Sequence, residues 1–326
     1  MAESTVSRAL NNKPGVSKEV KQQILELAKR LNYRPNALAQ GLAGKKTRYI
    51  GVISPEIEPS FYNRIIKGIE TAASSRGFVT IFGFTDYSQK REAFYLHHFS
   101  SMKVDGVISI GEGLAGEEII KLATAEKPLV LINNYLEETM VPSLFVDHQQ
   151  SIYYTVQKLI SAGFKEIAFF NGPEEDFLCQ QLEDGFKEAL KDKDLKPKKE
   201  LIKNIKLTRE EGYLGICDLF QKTSIPEALI TASEIAAIGA LEALKIGGLF
   251  IPEDLPVVAY GDSNLAIASS PQLTTVKEPA FEMGHNSVSM LAKLIKDQRE
   301  KKKRKRSAET IVMEGKMVYR ESFKKQ

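Results

Sequence analysis

From Tyr49 onward, short apolar runs alternate with longer amphipathic stretches, and this alternation restricts the fold more than any other feature. The runs are YIGVIS (49–54), FVTIFGF (78–84), VDGVISI (104–110), PLVLIN (128–133), EIAFFN (166–171), EALITA (227–232) and PVVAYG (256–261). Each is of strand length. Between them lie helix-period stretches such as FYNRIIKGIETAASSRG, where Ile65, Ile69, Ala72 and Ala73 fall on one stripe, and SEIAAIGALEALKIGG. Strand–helix alternation of this kind predicts an α/β fold, a mostly parallel sheet with helices on both faces.

The alternation runs twice, over 49–148 and 150–275. SSRGFVTIF and SAGFKEIAFF both pass from a helix end through Gly-Phe into a strand, a coarse internal repeat. Two similar units facing each other leave a cleft between them. In open α/β sheets a ligand sits beyond the carboxyl ends of the strands, and two such lobes close about a hinge.

The first 48 residues follow other rules. Thr5 to Leu10 predicts a short helix with Val6, Ala9 and Leu10 on one face. Ser4, Thr5, Ser7 and Arg8 are left outward, groups that reach phosphates and base edges in a major groove. Lys13-Pro14-Gly15 suits a turn. Ser17 predicts the cap of a second helix with Val20, Ile24, Leu27 and Leu31 on its apolar side. A third piece starts at Asn36 and stops at Gly44. Isolated helices under roughly 12 residues are marginal in water, and Gly41 costs this one about 1 kcal/mol more. We therefore expect it to form only when something holds it.

Charge separates the same two regions. Residues 1–49 carry ten Lys or Arg against three Glu, a formal +7, which leaves −4 on the rest of a chain whose total is +3. A basic head on a mildly acidic body suits a polyanionic partner, although a solvated basic surface gives the same totals. The 326 residues suggest about two domains. Cys179 and Cys217 make no disulfide framework and suit small buried residues in a reducing compartment. No apolar run approaches the roughly 18 residues of a membrane span, and the N-terminus lacks a signal-peptide pattern. The expected location is cytoplasmic.

TVSRALN, then VS, then LNYRPNALAQGLAG resembles the DNA-binding head of the LacI/GalR family of bacterial repressors, and the resemblance extends over nearly the whole chain. It implies two doubly wound, periplasmic-binding-protein-like lobes behind an all-α helix-turn-helix head with a hinge helix at about 36–44. Lobe 1 is expected at about 49–148 and 276–307, and lobe 2 at about 149–275 and 308–326. By the resemblance, Glu3, Ser4 and Arg8 read bases. Thr5, Ser7, Asn11, Tyr33 and Asn36 contact phosphates, and Leu42 wedges into the minor groove between the hinge helices of two subunits. The implied partners are a near-palindromic duplex, a second copy of the chain and a small-molecule effector, with a sugar-related one among the candidates. The implied function is a repressor of carbohydrate-use genes. No enzyme activity, cofactor or metal is expected.

The head departs from the family at its start, since only Met1, Ala2 and Glu3 precede Ser4 where members have another helix. A start codon placed too far downstream fits the retained reading residues best. A truncated head on a cytosolic ligand-binding module is the alternative. In the cleft, Phe61, Tyr62, Asn133, Ser233 and Glu278 are the expected effector contacts, although Phe61 and Tyr62 also suit a helix-start core. Three positions differ from the family pattern: Leu182 stands for an arginine, Ser233-Glu234 for Asn-Asp, and Gly261 for an aspartate. Each lost partner costs a polar ligand roughly 1–3 kcal/mol. These departures argue against a standard monosaccharide or purine and leave open an unusual effector or a partner protein.

Gly111-Glu112-Gly113-Leu114-Ala115-Gly116 has the spacing of a dinucleotide-binding loop. The next strand ends in Asn133 and Asn134 rather than an acid, so a loop at the cleft mouth is the better reading. The KKKRKR run at 301–306 suits a solvated linker.

Overall fold

A computed structural model describes residues 2–10, 12, 14–31, 47–57, 60–111, 119, 121–122, 127–133, 141–222, 225–300 and 309–324. The head contributes two helices, α1 (Glu3–Leu10) and α2 (Lys18–Arg30). Ala9 and Ile24 are their buried residues. The expected third helix at 36–44 lies outside the described residues.

The body is two six-stranded sheets. Lobe 1 contains β1 (Tyr49–Ser54), α3 (Ser60–Ser75), β2 (Val79–Phe84), α4 (Gln89–Ser101), β3 (Gly106–Ile110), β4 (Leu129–Ile132) and β5 (Ser143–Asp147). Lobe 2 contains α5 (His148–Ser161), β6 (Ile167–Asn171), α6 (Phe177–Lys191), β7 (Ile202–Asn204), α7 (Arg209–Lys222), β8 (Ala228–Thr231), α8 (Glu234–Ile246), β9 (Val257–Tyr260), α9 (Asn264–Ala268) and β10 (Thr274–Lys277). The chain then returns through α10 (Ala280–Arg299) and ends in β11 (Thr310–Glu314) and β12 (Lys316–Val318). The strand orders are β11-β5-β4-β3-β1-β2 and β12-β10-β9-β8-β6-β7. All pairs are parallel except β10–β12.

All seven expected runs form strands, and their continuous apolar character has a simple cause. β1, β3, β4, β6, β8 and β9 are covered on both faces, so most of their residues are apolar, and the buried Ser54, Ser109, Asn171 and Thr231 make hydrogen bonds. Along β4, Val130 and Ile132 join one core while Leu129 and Leu131 join another on the opposite face. The helices α3 and α10 cross over the first of these cores. A Cβ on Gly68 would collide with the Phe281 carbonyl, and one on Gly284 with the Ile65 carbonyl, so the crossing needs glycine on both sides.

The division between lobes differs from the expected one at the C-terminus. Thr274–Lys277 stays in the lobe 2 sheet, paired with β9, and α10 is the first element back in lobe 1. The expectation placed everything after 308 in lobe 2. Instead β11 extends the lobe 1 sheet as a parallel edge strand beside β5, and β12 alone pairs in lobe 2. Gly315 separates them, its N–H donating to Ser151 Oγ at 2.7 Å. The sequence TIVMEGKMV reads as one polar-apolar ribbon, and nothing in its period marks a change of sheet. The chain therefore passes between lobes at Asp147–His148, at Glu278–Pro279 and at Gly315.

Candidate functional site

The head presents its outward groups as helix geometry requires. Ser4 and Arg8 are exposed and Thr5 is half-buried. Glu3 and Ser7 lie in α1, but their side chains, like Asn11, Tyr33, Asn36 and Leu42, are outside what is described. Ser17 caps α2, its Oγ accepting from the Val20 N–H at 3.3 Å. Lys21 Nζ donates to Asn12 Oδ1, which ties the turn to α2. Leu27 and Leu31 are 46% and 67% exposed around an apolar groove with Val6 and Leu10.

The linker from the head is fixed where it meets lobe 1. Thr47 is buried, its N–H and Oγ–H both reach Asp105 Oδ1 at 3.3 Å, and the hydroxyl also donates to the Lys103 carbonyl at 3.1 Å. Arg48 follows at φ +58° and its carbonyl accepts from the Val79 N–H. The chain leaving the head is therefore hydrogen-bonded to lobe 1 at Thr47 and Arg48.

Between the lobes lies a cleft of about 790 Å³. It opens at the carboxyl ends of β1, β4, β8 and β9, where α/β sheets bind ligands. All five expected contacts, Phe61, Tyr62, Asn133, Ser233 and Glu278, line it. Phe61 and Tyr62 meet edge to face with ring centroids 5.6 Å apart, and both also pack on the lobe 1 core. Asn133 Oδ1 accepts from the Val146 N–H at 3.3 Å, and Ser233 Oγ caps α8 by accepting from the Ile235 N–H at 3.2 Å. Each thus has a structural role beside any contact with a ligand. Leu182 is wholly buried in the lobe 2 core, away from the cleft wall.

Sequence reasoning missed the charged centre of the cleft. Asp262 follows β9 and is surrounded by cations. Arg320 donates to its Oδ1 at 2.6 Å and Thr275 at 2.8 Å, while Arg64 and Lys277 stand 3.6 Å and 3.8 Å from Oδ2. Burial raises its carboxyl, but these hydrogen bonds and positive charges outweigh burial and hold it below the usual range. Arg64 belongs to α3 in lobe 1, so its ion pair with Asp262 crosses the cleft. His148 begins α5 at a lobe crossing and is buried, with Nδ1 2.6 Å from Tyr260 Oη. Glu278 Oε1 lies 3.8 Å from the same ring, a spacing that suits an ion pair. Burial nevertheless pushes His148 down to about 4, so the ring is neutral at pH 7 and the contact is a dipolar one.

The other motifs settle plainly. Asp176, the last of the adjacent acids Glu174, Glu175 and Asp176, caps α6 by accepting from the Cys179 N–H. Cys179 is buried. Apart from Gly111, the glycine-rich run at 111–116 lies outside the described residues, as does KKKRKR. Among the described residues no three His, Cys, Asp or Glu are placed to share a metal ion, and no helix is long and apolar enough to cross a membrane.

Comparisons with known proteins agree with this arrangement. The model of the lacI family of bacterial regulatory proteins matches residues 2–36, and that of a periplasmic binding protein-like domain matches residues 156–323. Catabolite control protein A of Priestia megaterium is 32% identical over 291 residues, which cover 89% of this chain and 88% of that protein. A transcriptional regulator CelR–cellobiose complex is 25% identical with a TM-score of 0.70, over 99% of this chain and 96% of the other. The lac repressor dimer bound to operator and the anti-inducer ONPF has the same fold, with a TM-score of 0.82 at 23% identity over 98% and 94% of the two chains. With a basic two-helix head, a tether anchored to lobe 1 and a cleft between paired α/β lobes, the chain belongs to the lacI family of bacterial regulatory proteins and is a DNA-binding transcription regulator.

Proposed function

We propose that this regulator is a cytoplasmic repressor of carbohydrate-use genes, held on a near-palindromic operator as a homodimer and controlled by a small molecule in the inter-lobe cleft. The observation that carries the ligand half is the cleft itself, lined by rings and polar groups and bridged by Arg64 and Asp262 from opposite lobes. A pocket of this size and lining suits a small ring ligand. The CelR relative holds cellobiose, which supports a sugar-like occupant here. A ligand that favours one degree of closure moves the lobes, and Thr47 passes that motion to the tether. A typical coupling of this kind is about 1–3 kcal/mol.

On DNA, Glu3, Ser4 and Arg8 are assigned to base edges. Thr5, Ser7, Asn11, Tyr33 and Asn36 are assigned to phosphates, and Leu42 to the minor-groove wedge. Two copies on one site call for a near-palindrome. No catalytic step enters this reading. Transcript profiling of a strain lacking the gene tests it. Carbohydrate uptake and breakdown genes with a shared near-palindrome upstream should rise. Unchanged expression of all such genes contradicts the reading.

The apolar groove beside Leu27 and Leu31 favours a second reading, a ligand-binding module whose DNA contact is weak. A mobility shift at moderate salt separates the two. Retention of a palindromic duplex by this chain rejects the second.

A further inference from the structure

Residues 310–318 tie the two lobes together along their outer margin. β11 is the last strand of the lobe 1 sheet and β12 the last of the lobe 2 sheet, so one ribbon supplies a sheet edge to each lobe. No described strand pairs with the far side of either. The side chains keep one phase through Gly315. Ile311 and Met313 pack on the lobe 1 core, and Met317 and Tyr319 on a lobe 2 core. Thr310, Val312, Glu314 and Lys316 are exposed, Val312 at 59%. β11 holds no lysine or proline, residues that ordinarily keep such an edge from pairing.

Two charges on the ribbon stand against like charges of their own chain. Glu314 lies beside Asp147 of β5, and Lys316 opposite Lys277 of β10. Asp147 caps α5 and Lys277 stands 3.8 Å from Asp262, but neither Glu314 nor Lys316 has an ion pair among the described residues. An antiparallel second ribbon centred on Gly315 corrects both. It sets each Glu314 against Lys316 of the other copy, Val312 against Val318, and Met313 against Met317. TIVMEGKMV is in this sense its own complement. We propose that a second copy of this chain docks here, ribbon to ribbon, about a twofold axis at Gly315. A groove of about 480 Å³, lined by Tyr154, Lys158 and residues 314–317, leaves the centre of the ribbon open to it. Lys158, the other cation there, lies over the Tyr319 ring, 5.6 Å from its centre. Each ribbon spans both lobes, so the contact fits one degree of closure. It does not rest on the homodimer proposed on DNA.

The test is sedimentation of the full chain without DNA over a micromolar concentration series. Glu314→Lys and Lys316→Glu each set like charges face to face twice in one contact. Each should weaken association by about tenfold or more and halve the mass. The double variant restores opposite charges and should regain the wild-type mass. Equal masses for all of these proteins overturn the proposal, whether or not a separate operator-bound pair exists. So does a double variant that associates as poorly as the single ones. Val312→Cys combined with Val318→Cys should link two chains on mild oxidation, a link that the wild type, with Cys179 and Cys217, should not form. Absence of that link overturns the proposal even if the charge variants misfold. Loss of operator binding by a chain that still forms the ribbon contact defeats the regulator reading and leaves this one standing.

Discussion

Arg64→Gln should loosen the closed arrangement of the lobes. At the 3.6 Å separation of Arg64 Nη1 and Asp262 Oδ2, the gross attraction is about 5 kcal/mol for an effective dielectric constant near 20. Three facts reduce it. The Arg64 side chain is 28% exposed, so water screens the pair. Asp262 is shared with Arg320 and Lys277, and it keeps most of its compensation when Arg64 goes. The Arg64 Nε is buried with no hydrogen-bond partner, a small penalty that the substitution relieves. A net of about 1 kcal/mol remains, about a fivefold change in an open–closed equilibrium. Spin labels at the exposed positions Glu70 and Lys245, one in each lobe, report it by pulsed electron resonance. The long-distance population should grow about fivefold relative to the short one. In an Asp262→Asn background Arg64→Gln should do nothing more. An unchanged distribution, or an equal response in that background, refutes the argument.

The remaining predictions concern single groups. His148 is held at about 4 against its ordinary 6.5. The unfolded chain therefore takes up this proton before the folded one does, and stability falls as pH drops from about 6.5 toward 4. Denaturant midpoints at pH 7 and pH 5 should differ more in the native chain than in His148→Gln. Gly261→Ala forces a side chain to φ +97° against Glu234, at a cost of about 1–2 kcal/mol. The thermal midpoint should drop by about 3–6 °C, and an unchanged midpoint would show that the turn is not strained. Ser17→Ala removes the cap on Val20 N–H and should cost α2 about 1 kcal/mol, read as lower helical signal and faster proteolysis of the head.

Much of the fold is legible in the sequence because parallel strands covered on both faces need apolar residues without interruption. YIGVIS and EIAFFN announce themselves for that reason. β10 does not, because Thr274 and Thr275 fill a central strand and are wholly buried. Their hydroxyls are satisfied by the Phe323 carbonyl and by Asp262, partners far away in the chain. β5, with Ser143 and Asp147 at its ends, hides in the same way. In the cleft, Phe61, Tyr62, Asn133, Ser233 and Glu278 follow from their places at strand and helix ends. Arg64 and His148 do not. Each sits in a helix whose period speaks only for its apolar neighbours, and its importance comes from a partner distant in sequence, Asp262 of the opposite lobe for Arg64 and Tyr260 of the same lobe for His148. Glu234 was visible as a departure from pattern, but its reach over Gly261 is a matter of geometry alone.

The binding of the intact chain to duplex DNA, followed by fluorescence anisotropy from low to moderate salt, bears most directly on whether the head is a sequence reader. The duplexes are a near-palindrome enriched by selection with this protein and a scrambled version of it. The palindrome should be held at least about 10³-fold more tightly, with both affinities falling steeply as salt rises. Equal affinity for the two duplexes, at every salt concentration, would contradict it.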